Sequence, residues 1–325
     1  MLLYKVGALG FQLAESLFRL TNIRKFSVGR AIIANLNLAG SAALKVILSG
    51  SAITVHGQKM YVADEGRAGF GLMLNMVTGR YELAVTQLFK HAIRPGCVVV
   101  DIGAHVGYYT LLASRLVGPQ GRVYAFEADP TNYRLLQRNL DLNGTDNVIA
   151  VPMAVADRTG SIDFFRDKRG SDRHSICRNS TITDESIKVE ATSLDSFMQQ
   201  QGCEQIDFLK MDIEGAEPMA VEGMTALLQR GLVSRMVIEF GPLGLKANGW
   251  SPEEFLRKLV ALGFDISPIE GEAYLITPEH LSTFITGVEK KGGTNLLCEK
   301  RQQNDSRLRS TAAHTRKFSE VENCT

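Results

Sequence analysis

The 325-residue sequence has almost no net charge: 36 lysines and arginines face 35 acids, leaving +1 at pH 7. Without a surplus of either sign there is no general electrostatic reason to expect nucleic acid or an acidic membrane surface as a partner. Cysteine is scarce and scattered. Cys97, Cys177, Cys203, Cys298 and Cys324 form no CxxC pair, which argues against a disulfide frame and predicts reduced thiols in a cytoplasmic protein. The six histidines keep no metal-ligand spacing with these cysteines, so no metal site is expected. Long apolar runs are missing as well. Residues 1–20 contain Lys5, Gln12 and Glu15 and no small-residue cleavage site, an argument against a secretory signal. Residues 31–50 are interrupted by Asn35, Asn37 and Lys45 and diluted by alanine, so they read as a packing helix and no stable membrane span is expected. There is no internal repeat.

What is present suffices for a substantial core, since 45% of residues are hydrophobic. Residues 1–78 read as a helical segment followed by a hairpin, residues 79–300 as the main unit, and residues 301–325 as a polar, disordered tail. The hairpin is expected over 52–62, around His56-Gly57, with a glycine-rich loop at 65–71. A helix over 81–91 ends at Arg94-Pro95-Gly96. Strands then alternate with helices. Apolar runs predict strands at 97–102, 122–126, 148–153, 207–211, 235–240, 264–267 and 294–298. Helices fall at 108–116, 132–142, 217–229 and 252–262. This alternation predicts an α/β fold: a doubly wound, mostly parallel twisted sheet with helices on both faces. The β-like runs 162–165 and 187–190 flank a basic stretch, 166–178, that reads as an inserted hairpin or mobile loop.

The segment 98–110, VVVDIGAHVGYYT, runs from an apolar strand through Gly103 and Gly107 into a helix. The glycines allow a ligand to approach the backbone, and the helix amides can receive a carboxylate. Glycines alone would fit any β-turn-α unit. The spacing separates cofactor classes. Dinucleotide binding uses GxGxxG, whose second glycine admits a pyrophosphate. Here Ala104 and His105 break that pair, and no Lys-Ser/Thr follows to make a P-loop. The acid Asp101 at the strand end suits a cationic ligand, and S-adenosylmethionine carries a sulfonium, an ammonium and an adenosine.

Glu127 closes the second strand in FEADP, where a carboxylate can accept both ribose hydroxyls. VPMAVAD, residues 151–157, ends the third strand and can flank an adenine ring, although an ordinary strand exit fits it nearly as well. LKMDIEGAE, residues 209–217, sets Lys210, Asp212, Glu214 and Glu217 at a central strand exit. Carboxyl ends of strands are where α/β folds do chemistry, and clustered charges shift one another's pKa. Helix capping is the competing reading, and for Glu217 the two readings balance.

Together, VVVDIGAHVGYYTLLA, GRVYAFEADPTNYRLLQRNL, LKMDIEGAE and MVIEF resemble the FkbM-type methyltransferases, a branch of the class I S-adenosylmethionine-dependent enzymes. Tyr81-Glu82 adds to the match, which spans roughly residues 53–300. The resemblance implies a Rossmann-like, seven-stranded sheet with a reversed final hairpin, carried by residues 79–300. It implies that Asp101, Gly103 and Gly107 hold the methionine end of the cofactor, with Ala104, His105, Tyr108 and Thr110 alongside. Glu127 would bind the ribose, with Ala128 next to it. Met153, Ala154 and Val155 would lie near adenine, and Glu82 would reach the cofactor from the preceding helix. Asp212 would face both sulfonium and acceptor. His105 stands where asparagine is frequent in the family.

The expected reaction is methyl transfer to a hydroxyl, or to an amide nitrogen, of a small-molecule, glycan or secondary-metabolite acceptor. The protein's task is then alignment, exclusion of water and removal of one proton. Asp212 and Glu214 are the candidates for base or acceptor-orienting group, with Lys210 stabilising negative charge and His105 a further base candidate. Two rivals stand beside this reading. One is a cofactor-binding protein of the same fold without catalysis; the other is an NAD-dependent oxidoreductase, disfavoured by the broken GxGxxG. Acceptor specificity is expected in the N-terminal segment, the 166–178 loop and the region around Trp250. The basic residues Arg166, Lys168, Arg169, Arg173 and Arg178 suit either an anionic acceptor or solvent.

Overall fold

A computed structural model describes residues 52–61, 75–76, 78–166, 174–177, 186–271 and 274–301. The expectations for residues 1–50, for the glycine-rich loop 65–71 and for the tail 302–325 lie outside the described residues.

A short hairpin comes first, β1 (Ile53–Val55) and β2 (Gln58–Met60). Helix α1 (Leu83–Ala92) leads into β3 (Val98–Ile102), α2 (Tyr108–Val117), β4 (Arg122–Phe126), α3 (Pro130–Asn143) and β5 (Val148–Val151). A three-stranded side sheet follows, built from β6 (Ala154–Val155), β7 (Gly160–Phe165) and β8 (Ser186–Thr192). Then come α4 (Leu194–Gln200), β9 (Phe208–Met211), α5 (Glu217–Glu222), α6 (Thr225–Gln229) and β10 (Arg235–Phe240). The last elements are α7 (Pro242–Ala247), α8 (Pro252–Ala261), β11 (Phe264–Pro268), α9 (Leu281–Glu289) and β12 (Thr294–Lys300).

The main sheet has seven strands in the order β11-β12-β10-β9-β3-β4-β5. β10, β9, β3, β4 and β5 run parallel, and β12 enters antiparallel between β10 and β11. This is the doubly wound sheet with a reversed final strand expected from the alternation and the family resemblance. Its strands are covered on both faces, which is why they read as continuous apolar runs. One face packs Val99, Val123, Phe208 and Val237 against α1, α2 and the hairpin. The other packs Val100, Leu209, Met211 and Ile238 against α5, α6, α8 and α9. The runs that flank the basic stretch, β7 and β8, pair antiparallel; of the stretch itself only 166 and 174–177 are described, so the expectations for Lys168, Arg169, Arg173 and Arg178 lie outside the described residues.

The single helix expected over 217–229 is two helices. At Gly223 the chain passes so close to the Ala156 carbonyl that a Cβ there would meet its oxygen at 1.8 Å. The Asp195 carboxylate accepts the amides of Ala226 and Leu227, capping the second helix at its start. Sequence periodicity also passes over α4, α7 and α9, although α4 opens on a local cap in which the Ser193 hydroxyl accepts the Ser196 amide. Among the described residues, no helix is long and apolar enough to cross a membrane.

Candidate active site

Parallel register brings the chemistry to one edge of the sheet. Asp101 on β3 is paired with Lys210 on β9, Lys210 with Val237 on β10, and Glu239 on β10 with Asn295 on β12. Side chains alternate along a strand, so these polar groups share the face that carries Val99, Phe208 and Val237 deeper in the core. Asp212 lies one residue beyond β9, and its amide donates to the Ile102 carbonyl at 3.1 Å, extending the ladder. Tyr109 of α2 and Glu82, the residue before α1, face this row from above: the Tyr109 hydroxyl donates to Glu82 Oε2 at 2.6 Å.

Lys210 is the cation of this row. Its Nζ lies 2.8 Å from Asp212 Oδ2 and 4.9 Å from the centre of the Tyr109 ring. Burial works against its charge, but Asp212, Glu82 and Asp101 outweigh that and raise its pKa. Burial also opposes the charge on Asp212, yet Lys210 holds this carboxyl below its usual range. Burial dominates at Glu82 and Asp101, and both are raised. Thr110 donates to Asp101 Oδ2 at 2.6 Å, while Asp101 Oδ1 is buried without a hydrogen-bond partner. Thr110 is fully buried and supports Asp101 from behind.

Two connected hollows open over this edge. One, of about 430 Å³, is lined by Asp101, Gly103, Ala104, His105, Tyr108, Tyr109, Lys210 and Asp212 among others. The other, of about 550 Å³, runs from Glu127, Ala128, Met153, Ala154 and Val155 to Asp212 and Glu214. Gly103 and His105 border both. Gly103 has φ +83, and a Cβ on it would sit 2.0 Å from the Asp212 carbonyl oxygen. No other residue lets the β3 and β9 loops pass so closely. Gly107, also at positive φ, precedes α2 and packs towards Leu136.

Glu127 is nearly buried, and both its oxygens already accept backbone amides: His105 at 2.7 Å and Asp129 at 2.8 Å. Each oxygen keeps a second lone pair for a ligand hydroxyl. Burial pushes this carboxyl up to about 7 despite the two amides. Asp129 caps α3 through the amides of Thr131 and Asn132 and takes Arg166 Nε at 2.7 Å. Burial opposes its charge, but His174, these amides and Arg166 hold it below the usual range. Arg166 thus has a structural carboxylate partner.

The acidic turn divides its duties. Glu217 Oε1 accepts the amides of Ile213 and Gly215, so Glu217 holds the turn together; burial raises it to about 7. Asp212 and Glu214 border the larger hollow. Glu82, His105 and Glu214 all have positive φ, at 37°, 51° and 57°. Non-glycine residues in that region carry strain that concentrates at functional sites.

Several residues at the site went unassigned in the sequence. Glu239 brings a carboxylate oxygen within 4.8 Å of those of Asp212 and Glu214. Its signal was an acid inside the otherwise apolar MVIEF strand. Phe164, His174, Ser175 and Ile176 wall the larger hollow. Ser175 is bridged to Phe165 and donates through Oγ to the Ile213 carbonyl at 3.0 Å. His174, Ser175 and Ile176 lie in the 166–178 stretch expected to set acceptor specificity, though none was singled out there; nothing local in the sequence marked Phe164.

Residues 101–266 match the model of the Methyltransferase FkbM domain. Among curated proteins the chain is similar to Methyltransferase sdnD of Sordaria araneosa, 27% identical over 52% of this chain and 74% of that one. It is also similar to 2-O-methyltransferase NoeI of Sinorhizobium fredii, 27% identical over 40% of this chain and 58% of that one. A solved structure of a methyltransferase FkbM from Methylobacillus flagellatus KT is 16% identical, covering 73% of this chain and 56% of that chain, with a TM-score of 0.39. That likeness is too distant to bear on the reaction.

Proposed function

The chain belongs to the FkbM methyltransferase domain family, and on that premise we propose that it uses S-adenosylmethionine to methylate a hydroxyl of a glycan or secondary-metabolite type acceptor. One observation carries the cofactor: Glu82, Asp101 and Asp212 gather around Lys210, and among the described residues Asp101 Oδ1 is buried with no hydrogen-bond partner. Such a site favours a ligand with positive charge and N–H donors over a pyrophosphate. S-adenosylmethionine fits it, with its ammonium against Asp101 and its methionine end on the loop Gly103, Ala104, His105, Gly107 and Tyr108. Glu127 accepts the ribose, and Ala128, Met153, Ala154 and Val155 line the adenine side. When bound, the cofactor supplies an electrophilic methyl group on a sulfonium leaving group.

The chain's own residues then align the acceptor, exclude water and take one proton. Lys210 keeps Asp212 ionised, which suits Asp212 to orienting an acceptor hydroxyl beside the sulfonium. Glu214 borders the same hollow from a strained backbone and orients the acceptor from the other side. The hydroxyl assignment draws support from the 2-O-methyltransferase among the similar proteins and from the carboxylates available to receive a proton. Isothermal titration of the full chain with S-adenosylmethionine and with NAD tests the cofactor. Binding of the first and not the second is expected, and Asp101→Asn should weaken it. Binding of NAD alone would overturn the proposal.

A further inference from the structure

Asp212 is a poor final home for the acceptor's proton. It is ion-paired to Lys210 at 2.8 Å, and protonating it would strip that buried ammonium of its hydrogen-bonded counter-charge. Among the described residues, its neighbour Glu239 forms no ion pair with a lysine, arginine or histidine. A carboxylate oxygen of Glu239 lies within 4.8 Å of those of Asp212 and Glu214. Carboxyls this close do not all ionise together, so the group keeps a proton. With Asp212 committed to Lys210, the proton sits on Glu239. Glu214 and Glu217 face Glu239 from the β9–α5 turn, and burial together with these acids favours its neutral form. His105 acts on Asp212 from the cofactor loop. Opposite Glu239 in the sheet is Asn295, which carries no charge. The ionisable groups that act most strongly on Glu239 are the acids Asp212, Glu214 and Glu217.

We propose that Glu239 is the residue that carries the proton of the reaction, holding it in the empty enzyme, losing it when the cationic cofactor enters, and regaining it from the acceptor hydroxyl. The inference rests on the cofactor reading above. A sulfonium beside Asp212 supplies the positive charge this acidic group lacks, so Glu239 can ionise. The acceptor oxygen then forms its bond to the methyl carbon as the carbon–sulfur bond gives its electron pair to sulfur. The O–H proton passes to Glu239. The neutral thioether product leaves the site in the protonation state of the empty enzyme, so the next proton is discharged only when fresh cofactor arrives.

The cycle is testable without knowing the acceptor. Titration calorimetry of the full chain near pH 7, in EDTA-treated buffers of differing ionisation enthalpy, counts protons released on binding. S-adenosylmethionine and S-adenosylhomocysteine share the ammonium that meets Asp101 and differ in the sulfonium. The wild type is expected to release about one more proton with the first than with the second, as one carboxyl ionises. In Glu239→Gln, whose amide keeps a donor towards Asp212, that difference should vanish while both ligands still bind. An undiminished difference in Glu239→Gln overturns the proposal, as does equal release by the two ligands in the wild type, a comparison that needs no variant. No binding of either ligand to the wild type would instead overturn the cofactor reading.

Discussion

Replacing Lys210 with methionine isolates the electrostatics of the site from its shape. The ammonium is 4% exposed in its side chain and pairs with Asp212, with Glu82 and Asp101 also drawing on it. Methionine has similar length and packs against the Tyr109 ring, so little volume is lost. What changes is that Asp212, Glu82 and Asp101 lose the ammonium they share. Removing one partner of a buried pair costs about 3–5 kcal/mol. In a domain of this size that lowers the melting temperature by roughly 6–20 °C, at about 2–4 °C per kcal/mol. The sign with pH follows from linkage. In the wild type Asp212 is held below its usual range, so it contributes stability above its unfolded pKa. Without Lys210 its folded pKa rises above the unfolded value. The folded variant then binds more protons than the unfolded chain, and its deficit shrinks as pH falls. Melting curves of wild type and Lys210→Met, without ligand, at pH 8 and pH 5, should show the larger gap at pH 8. An equal gap at both values, or one below about 1 kcal/mol at pH 8, refutes the view that Lys210 neutralises this array.

Three further outcomes are expected. Gly103→Ala sets a Cβ against the Asp212 carbonyl at φ +83; strain and overpacking together cost about 2–5 kcal/mol, read as a lower urea midpoint, and an unchanged midpoint would show that the two loops can part freely. Glu127→Gln presents an amide donor to one of the two backbone N–H groups that Glu127 now accepts. Cofactor affinity should fall about tenfold or more, from about 1–3 kcal/mol of lost or unsatisfied hydrogen bonding; wild-type affinity by calorimetry would remove Glu127 from the ligand site. The wild type without ligand should lose stability as pH rises from about 4.5 to about 7, because burial raises Glu127 and Glu217 to about 7 and the stability present below the unfolded pKa is lost through the folded one. A flat urea midpoint across that range would contradict both assignments.

The central strands β3, β9 and β10 were legible because they are covered on both faces and therefore written as apolar runs. The first loop was legible too, since Asp101, Gly103 and Gly107 lie within seven residues on one strand exit. Less legible was the division of labour among like residues. Asp129 and Glu127 are two residues apart, yet one caps a helix and the other faces the larger hollow. Glu217 and Asp212 share one motif, but Glu217 accepts two turn amides while Asp212 pairs with Lys210. The split of the helix at Gly223 depended on the distant Ala156 carbonyl and on Asp195.

By itself the sequence determined the order and type of the main elements, the glycine-bearing turn and the presence of acids at strand exits. These are local matters of side-chain alternation, apolar burial and backbone freedom. Only the tertiary structure decided which acids share a charge environment. Parallel register sets Asp101 beside Lys210, and antiparallel register sets Glu239 opposite Asn295. The character of each carboxyl follows from how many cations, amides and acids lie within a few ångströms. That number is a property of three-dimensional neighbours, because Coulombic and desolvation energies depend on distance and burial and not on separation along the chain.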